Sequence, residues 1–127
     1  MNIQGELGEV LAARSLRDKG YDILAANYHS RYGEIDIIAA DDTYIVFVEV
    51  KTRSAGAIAT PAAAVTAAKQ RKIIQTALLY LADTGVDLQP RFDVVEVYLT
   101  RAADGEVPRV EELNHIVSAF EADGYYG

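Results

Sequence analysis

Two short runs constrain this chain more than anything else in it. The first is Glu34-Ile35-Asp36-Ile37-Ile38, and the second, past Asp41-Asp42-Thr43, is Tyr44-Ile45-Val46-Phe47-Val48-Glu49-Val50-Lys51. Both have the β-branched and aromatic composition of strands, and side chains alternate across a strand. Asp36 then shares a face with Glu34 and Ile38, and Glu49 with Ile45, Phe47 and Lys51. The other face carries Ile35, Ile37, Tyr44, Val46, Val48 and Val50. So short a connection predicts an antiparallel hairpin. A register that sets Asp36 opposite Phe47 or Glu49 puts both acids on one face, and a slip of one residue separates them. Two carboxylates about 5 Å apart repel by roughly 3 kcal/mol at an effective dielectric near 20. Lys51 offsets part of that, and a divalent cation on oxygen ligands would offset the rest. The competing reading is a solvated strand edge with one ordinary ion pair.

The rest of the chain decides what such a hairpin can belong to. Its 127 residues, half of them hydrophobic, suffice for one domain with its own core, expected over residues 1–120 with a flexible tail at 121–127. There is no cysteine, which excludes disulfides, thiolate metal sites and cysteine nucleophiles. With only His29 and His115, a histidine-rich zinc site is not expected. No apolar run reaches membrane-spanning length, and acids near the N-terminus argue against a signal peptide, so a soluble cytoplasmic protein is expected.

The net charge of −7 argues against a nucleic-acid partner until its distribution is considered. Residues 1–82 hold nine acids and nine bases, whereas 83–127 hold ten acids and three bases. Between Glu49 and Asp83 there is no acid, and that interval carries Lys51, Arg53, Lys69, Arg71 and Lys72. The run is either a positive surface beginning at the carboxylates or ordinary helix solvation.

A first helix is predicted from about Ile3 to Lys19, with Asn2 as cap and Gly20 as stop. Ile3, Leu7, Val10 and Leu11 form its apolar stripe, and Gly5, Gly8, Glu9, Ala12 and Leu16 lie on another side. Each interior glycine costs about 1 kcal/mol against alanine, so two on one stripe predict the close approach of a backbone or ligand. Glu9, at the edge of that stripe, is either a third carboxylate for the hairpin face or a surface residue. Tyr21 to about Tyr28 reads as a strand and Asn27–Gly33 as a polar loop, in which Arg31 could reach phosphate or pair with Glu34. Residues 52–60 read as a loop. A helical region is predicted from Thr60-Pro61, with Thr66 as a possible second cap, a buried stripe of Ile73, Ile74, Ala77, Leu78 and Leu81, and Gly85 at its end. Lys69 flanks that stripe and could add a charge-assisted contact to an anionic substrate. Arg91–Leu99 reads as a strand joined to the hairpin by a parallel crossover, with Asp93 and Glu96 assigned to no site. Asp104-Gly105 predicts a turn, Val107 to Leu113 a last strand, and Asn114–Phe120 a short helical turn.

Helix, three strands, helix, strand, with Asp36 followed thirteen residues later by Glu49-Val50-Lys51, resembles the PD-(D/E)XK nuclease core. More closely, Gly8-Glu9-x-x-Ala12, Gly20-Tyr21, Asn27, Arg31-x-Gly33-Glu34-Ile35-Asp36, Val46–Arg53, Lys69 and Arg91-Phe92-Asp93-Val94 look like the YraN family. That family is considered nuclease-like and is similar in core and motif to archaeal Holliday-junction resolvases. The resemblance covers about residues 3–120; Ile35 stands where the wider motif has proline, as it does in the family. It implies an α/β, restriction-endonuclease-like domain with a mixed sheet of four or five strands. It also implies magnesium or manganese on Asp36, Glu49, Glu9 and the Val50 carbonyl, with Lys51 orienting water or steadying the transition state. Arg31, Arg53 and Lys69 would hold phosphates. The expected activity is endonucleolytic cutting of branched or structured DNA by a homodimer. The alternatives are a nucleic-acid-binding module of the same fold that turns over little, and a protein-interaction domain using the acidic last third around Glu111 and Glu112.

Overall fold

The structure, a computed structural model, describes residues 3–54 and 65–122. Elements run α1 (Ile3–Asp18), β1 (Asp22–His29), β2 (Glu34–Ala40), β3 (Tyr44–Ser54), α2 (Ala67–Thr84), β4 (Gln89–Leu99) and β5 (Val110–Phe120). The five strands form one mixed sheet in the order β1-β2-β3-β4-β5. Only β3 and β4 are parallel, because α2 carries the chain back across the sheet between them. The other neighbours are antiparallel.

Each face of the sheet is covered by one helix. Ala12 and Leu16 of α1 pack on Ile37, Ala39, Val46, Val48, Val95 and Val97. Ile73, Ile74, Ala77 and Tyr80 of α2 pack on Ile38, Ile45, Phe47, Phe92 and Val94. Alternation therefore places the even-numbered β3 residues 46 and 48 against α1 and the odd-numbered 45 and 47 against α2. Gly8 explains the small-residue stripe of α1: a Cβ there would collide with the Thr52 hydroxyl on β3. The helix thus lies close against β3 just past Lys51.

Helix α2 starts at Thr66, whose side chain accepts from the Lys69 N–H, and stops at Gly85, where φ is 69°. The expected cap Asn2, the expected helix start at Thr60-Pro61 and residues 123–127 of the expected tail lie outside the described residues. Four expectations need correction, the first being the loop expected over residues 52–60, of which 52–54 are the end of β3, held by the ladder to β4. Asn114–Phe120 is not a helical turn but the second half of β5, paired antiparallel with β4 from Leu99↔Val110 to Phe92↔Phe120. This last strand begins at Val110, not Val107. The run expected as a loop from Asn27 stays in β1 through His29, where it pairs with Glu34. In β1, β3 and β5 the ladder to an existing strand outweighs the local signal.

Candidate active site where the central hairpin opens

The β2–β3 ladder pairs Ala40 with Ile45 and runs to Ile37 with Val48. One more step sets Asp36 opposite Glu49, the register expected to bring the acids together, and there the paired residues end. In place of a ladder bond, the Val50 N–H donates to Asp36 Oδ2 at 2.8 Å. The strands begin to part where the acids sit.

Asp36 also marks a slip in the alternation of β2. Ile35 and Ile38 both pack on the α2 side, while Ile37 packs on the α1 side. The neighbouring strand slips opposite it: Ala25 and Tyr28 both join the α2-side cluster, and Asn27 between them has φ 51°. Asparagine is one of the few residues that adopts a left-handed backbone readily. Its side chain lies near enough to the Glu9 carboxylate of α1 to favour the ionised form. Asn27 belongs to the family pattern, but its left-handed backbone and its place beside Glu9 have no signal of their own in the sequence.

Asp36 thereby feels acids from both sides. Glu9 is held above its ordinary pKa by burial and then by the Asp36 charge. Asp36 is raised by burial and by Glu34, against the opposing Val50 N–H, Lys69 and Lys51. Glu49, only 7% exposed, is raised by burial and by Asp36. Lys51 Nζ stands 3.6 Å and Lys69 Nζ 3.8 Å from Glu49 Oε1, and these cations counter the shift without cancelling it. The three acids are a row with Asp36 in the middle. Among the described residues no three acidic or histidine side chains close into a ready-made cation cage, and a cation would have to draw the row together. The donor set, carboxylate and carbonyl oxygens alone, suits magnesium or manganese rather than zinc.

The remaining expected residues fall into two groups. Lys69 belongs to the row, whereas Arg31 does not pair with Glu34. Glu34 pairs with His29 at 3.2 Å, and Arg31 turns to Tyr32, donating from Nη2 to its hydroxyl at 2.9 Å. Arg53 lies further along β3, with a buried Nε that has no hydrogen-bond partner among the described residues. Glu96, assigned to no site from sequence, lies in register with Lys51 on the neighbouring strand. It is 1% exposed, and its Oε2 lacks a hydrogen-bond partner among the described residues. Alternation alone puts Glu96 on the Lys51 face once β3 and β4 are known to be parallel and in register, which the sequence does not fix. Asp93 is structural: Arg91, His115 and the Ser118 N–H all bond to it.

A groove of about 440 Å³ opens beside the acids on the α1 side, with Glu9, Asn27 and Asp36 in its wall along with Val10, Ala13 and Ile23.

One helix, an antiparallel three-stranded hairpin unit, a crossover helix and two further strands, with acids and a lysine where the central hairpin opens, define a restriction-endonuclease-like α/β protein. Within that class the chain belongs to the uncharacterised protein family UPF0102, the family of YraN, whose model matches residues 8–97. It is 45% identical over 117 residues to a UPF0102 protein of Caldanaerobacter subterraneus, covering 91% of this chain and 93% of the relative. It is 55% identical over 94 residues to one of Symbiobacterium thermophilum, covering 73% and 80%. To one of Nocardia farcinica it is 48% identical over 113 residues, covering 88% and 87%.

Proposed function

We propose that the chain is a divalent-metal-dependent endonuclease that hydrolyses phosphodiester bonds in branched or structured DNA. The observation that carries this reading is the row Glu9–Asp36–Glu49, in which each outer acid is raised first by burial and then by the charge of Asp36, while Lys51 and Lys69, beside Glu49, counter only part of the shift there. A fold that packs mutually repelling carboxylates at the opening of its sheet leaves negative charge for a cation to neutralise. Asp36, Glu49, Glu9 and the Val50 carbonyl would hold that ion. Bound there, it would lower the pKa of a water and neutralise charge developing on the phosphate. Lys51 would orient the attacking water or stabilise the same charge. Lys69, Arg53 and Arg31 would position backbone phosphates without reading sequence. Cutting both strands of a branch calls for two sites, hence a homodimer.

A second reading, a module that binds DNA and turns over little, is favoured by the open spacing of the acids. Both readings meet one experiment: calorimetric titration of magnesium or manganese into wild type, Asp36→Ala and Lys51→Ala, with the same samples incubated on four-way-junction and linear DNA. The nuclease reading expects metal binding lost in Asp36→Ala, retained in Lys51→Ala, and cleavage reduced at least ~10²-fold in both. Metal binding and junction binding without cleavage would favour the module. No metal binding by wild type, even with DNA present, would sink the carboxylate site.

A further inference from the structure

The tip joining β1 to β2 is braced far more than a solvent loop of four residues requires. The Ser30 N–H donates to the Gly33 carbonyl at 2.7 Å and the Gly33 N–H returns to the Ser30 carbonyl at 3.3 Å. Ser30 Oγ accepts from the Tyr32 N–H at 3.1 Å. The same oxygen lies 2.8 Å from Thr76 Oγ1, which ties the tip to the middle of α2. A Cβ on Gly33 would stand 3.3 Å from Lys72 Cβ, so glycine is what lets the tip close onto the helix.

What this bracing presents is an aromatic ring and a guanidinium. The Arg31 Cζ lies 4.9 Å from the Tyr32 ring centroid, and Tyr32 keeps 36% of its surface exposed. Neither residue fills the core, and neither pairs with the adjacent acid Glu34, which His29 takes. Lys72, beside the tip, and Lys69, at Glu49, are three residues apart on α2 and so lie on one side of the helix. Ring, guanidinium and two lysines therefore run from the tip toward the acids.

An aromatic face flanked by cations is the chemistry that takes a nucleobase with its phosphates, and a base offers its face only where it is unpaired. Resting on the nuclease reading of the acid row, we infer that Tyr32, backed by Arg31, is a stacking platform for an unpaired base, with Arg31 and Lys72 on the flanking phosphates. The site then recognises the boundary between paired and unpaired DNA. Cutting falls within a few nucleotides of that boundary, because one helical turn separates Lys72 from Lys69.

The test is equilibrium binding in EDTA, where no cleavage intrudes, of a forked oligodeoxynucleotide and a blunt duplex to wild type, Tyr32→Ala and Tyr32→Phe. Removing a stacked base contact costs roughly 5- to 100-fold in affinity. Tyr32→Ala should lose about that on the fork and little on the duplex, and Tyr32→Phe, which keeps the ring and loses only the hydroxyl to which Arg31 donates, should lose much less than Tyr32→Ala. Equal fork affinity in wild type and Tyr32→Ala, or a loss that Tyr32→Phe shares in full, would overturn the platform while leaving the acid row to its own metal titration. Failure of wild type to bind either DNA would overturn the platform and the DNA reading together. Thermal unfolding of each variant checks that the fold is intact.

Discussion

Asp36 shows how a single ionisable group can reveal a site. Burial and Glu34 raise its folded-state pKa above the ordinary carboxylate value despite the Val50 N–H. Between the unfolded value and that raised one, the folded protein holds more protons than the unfolded chain. Stability therefore falls as pH rises through that window, and above it the ionised group is a standing cost. Asp36→Asn keeps an oxygen to accept from Val50 and removes the charge. In the absence of metal the variant should be more stable than wild type at pH 7, by on the order of 1 kcal/mol. Its urea midpoint should also decline less between about pH 4 and 7, near the carboxyl range. A variant less stable than wild type at pH 7 would mean that the lysines already compensate the charge. The approach of Asp36 to Glu49 is legible from the short turn and its register, but simple alternation is not: β2 slips at Asp36, so that Ile35, expected on the Ile37 face, packs with Ile38 on the α2 side instead. Asn27 is not legible either, since an asparagine inside a strand pattern reads as one more polar position. It combines a left-handed backbone with a place beside Glu9, eighteen residues earlier and on another element.

Among the elements, β5 is the one whose local sequence points least to its structure, and the reason is physical. Ile116, Val117 and Phe120 are spaced as a helical turn would space them, and what decides for a strand is the free edge of β4. The fastening is Asp93, fully buried, which accepts from Arg91 Nη2 at 2.8 Å and the Ser118 N–H at 3.0 Å and lies 2.7 Å from His115 Nε2. His115 in turn meets Lys19 Nζ, just past α1, at 2.9 Å. At Ser118 the backbone turns to φ 52°, which ends the regular alternation and hid the strand. Burial alone would raise the Asp93 carboxyl, but His115, Arg91 and the Ser118 N–H carry it below its ordinary value. Its contribution to stability is thus present above the unfolded carboxyl pKa and is lost as pH falls through the lower folded value. Asp93→Ala leaves Arg91 and His115 facing an empty position and should cost about 3–5 kcal/mol. Hydrogen exchange of the 113–118 amides should rise before that of β2 and β3. Uniform exchange across the sheet would show that β5 is held by its ladder and not by this cluster.

At the scale of the whole molecule the question is how so acidic a chain could hold DNA. The excess charge lies in the last third, on residues such as Glu111 and Glu112 of β5, both exposed. Strand order puts β5 at the far edge of the sheet from β1 and two strands from β3. Two strand spacings are about 10 Å, close to the Debye length at physiological salt. At physiological salt the acidic edge would therefore oppose the proposed phosphate-holding cations Arg31, Arg53, Lys69 and Lys72 only weakly. In dilute salt, where the Debye length reaches about 30 Å, the acidic edge repels the ligand. Neutralising it with Glu111→Gln and Glu112→Gln together should change junction affinity less than about twofold near 0.15 M salt and tighten it several-fold near 0.01 M. With four phosphate contacts, at Arg31, Arg53, Lys69 and Lys72, the slope of log affinity against log salt around 0.15 M should be roughly −3.6 for wild type and the double variant alike. It should fall by about one unit in Lys69→Gln. If the double variant instead binds tenfold tighter at 0.15 M, the DNA path crosses β5. The cations of the hairpin and α2 would then not be where the backbone lies.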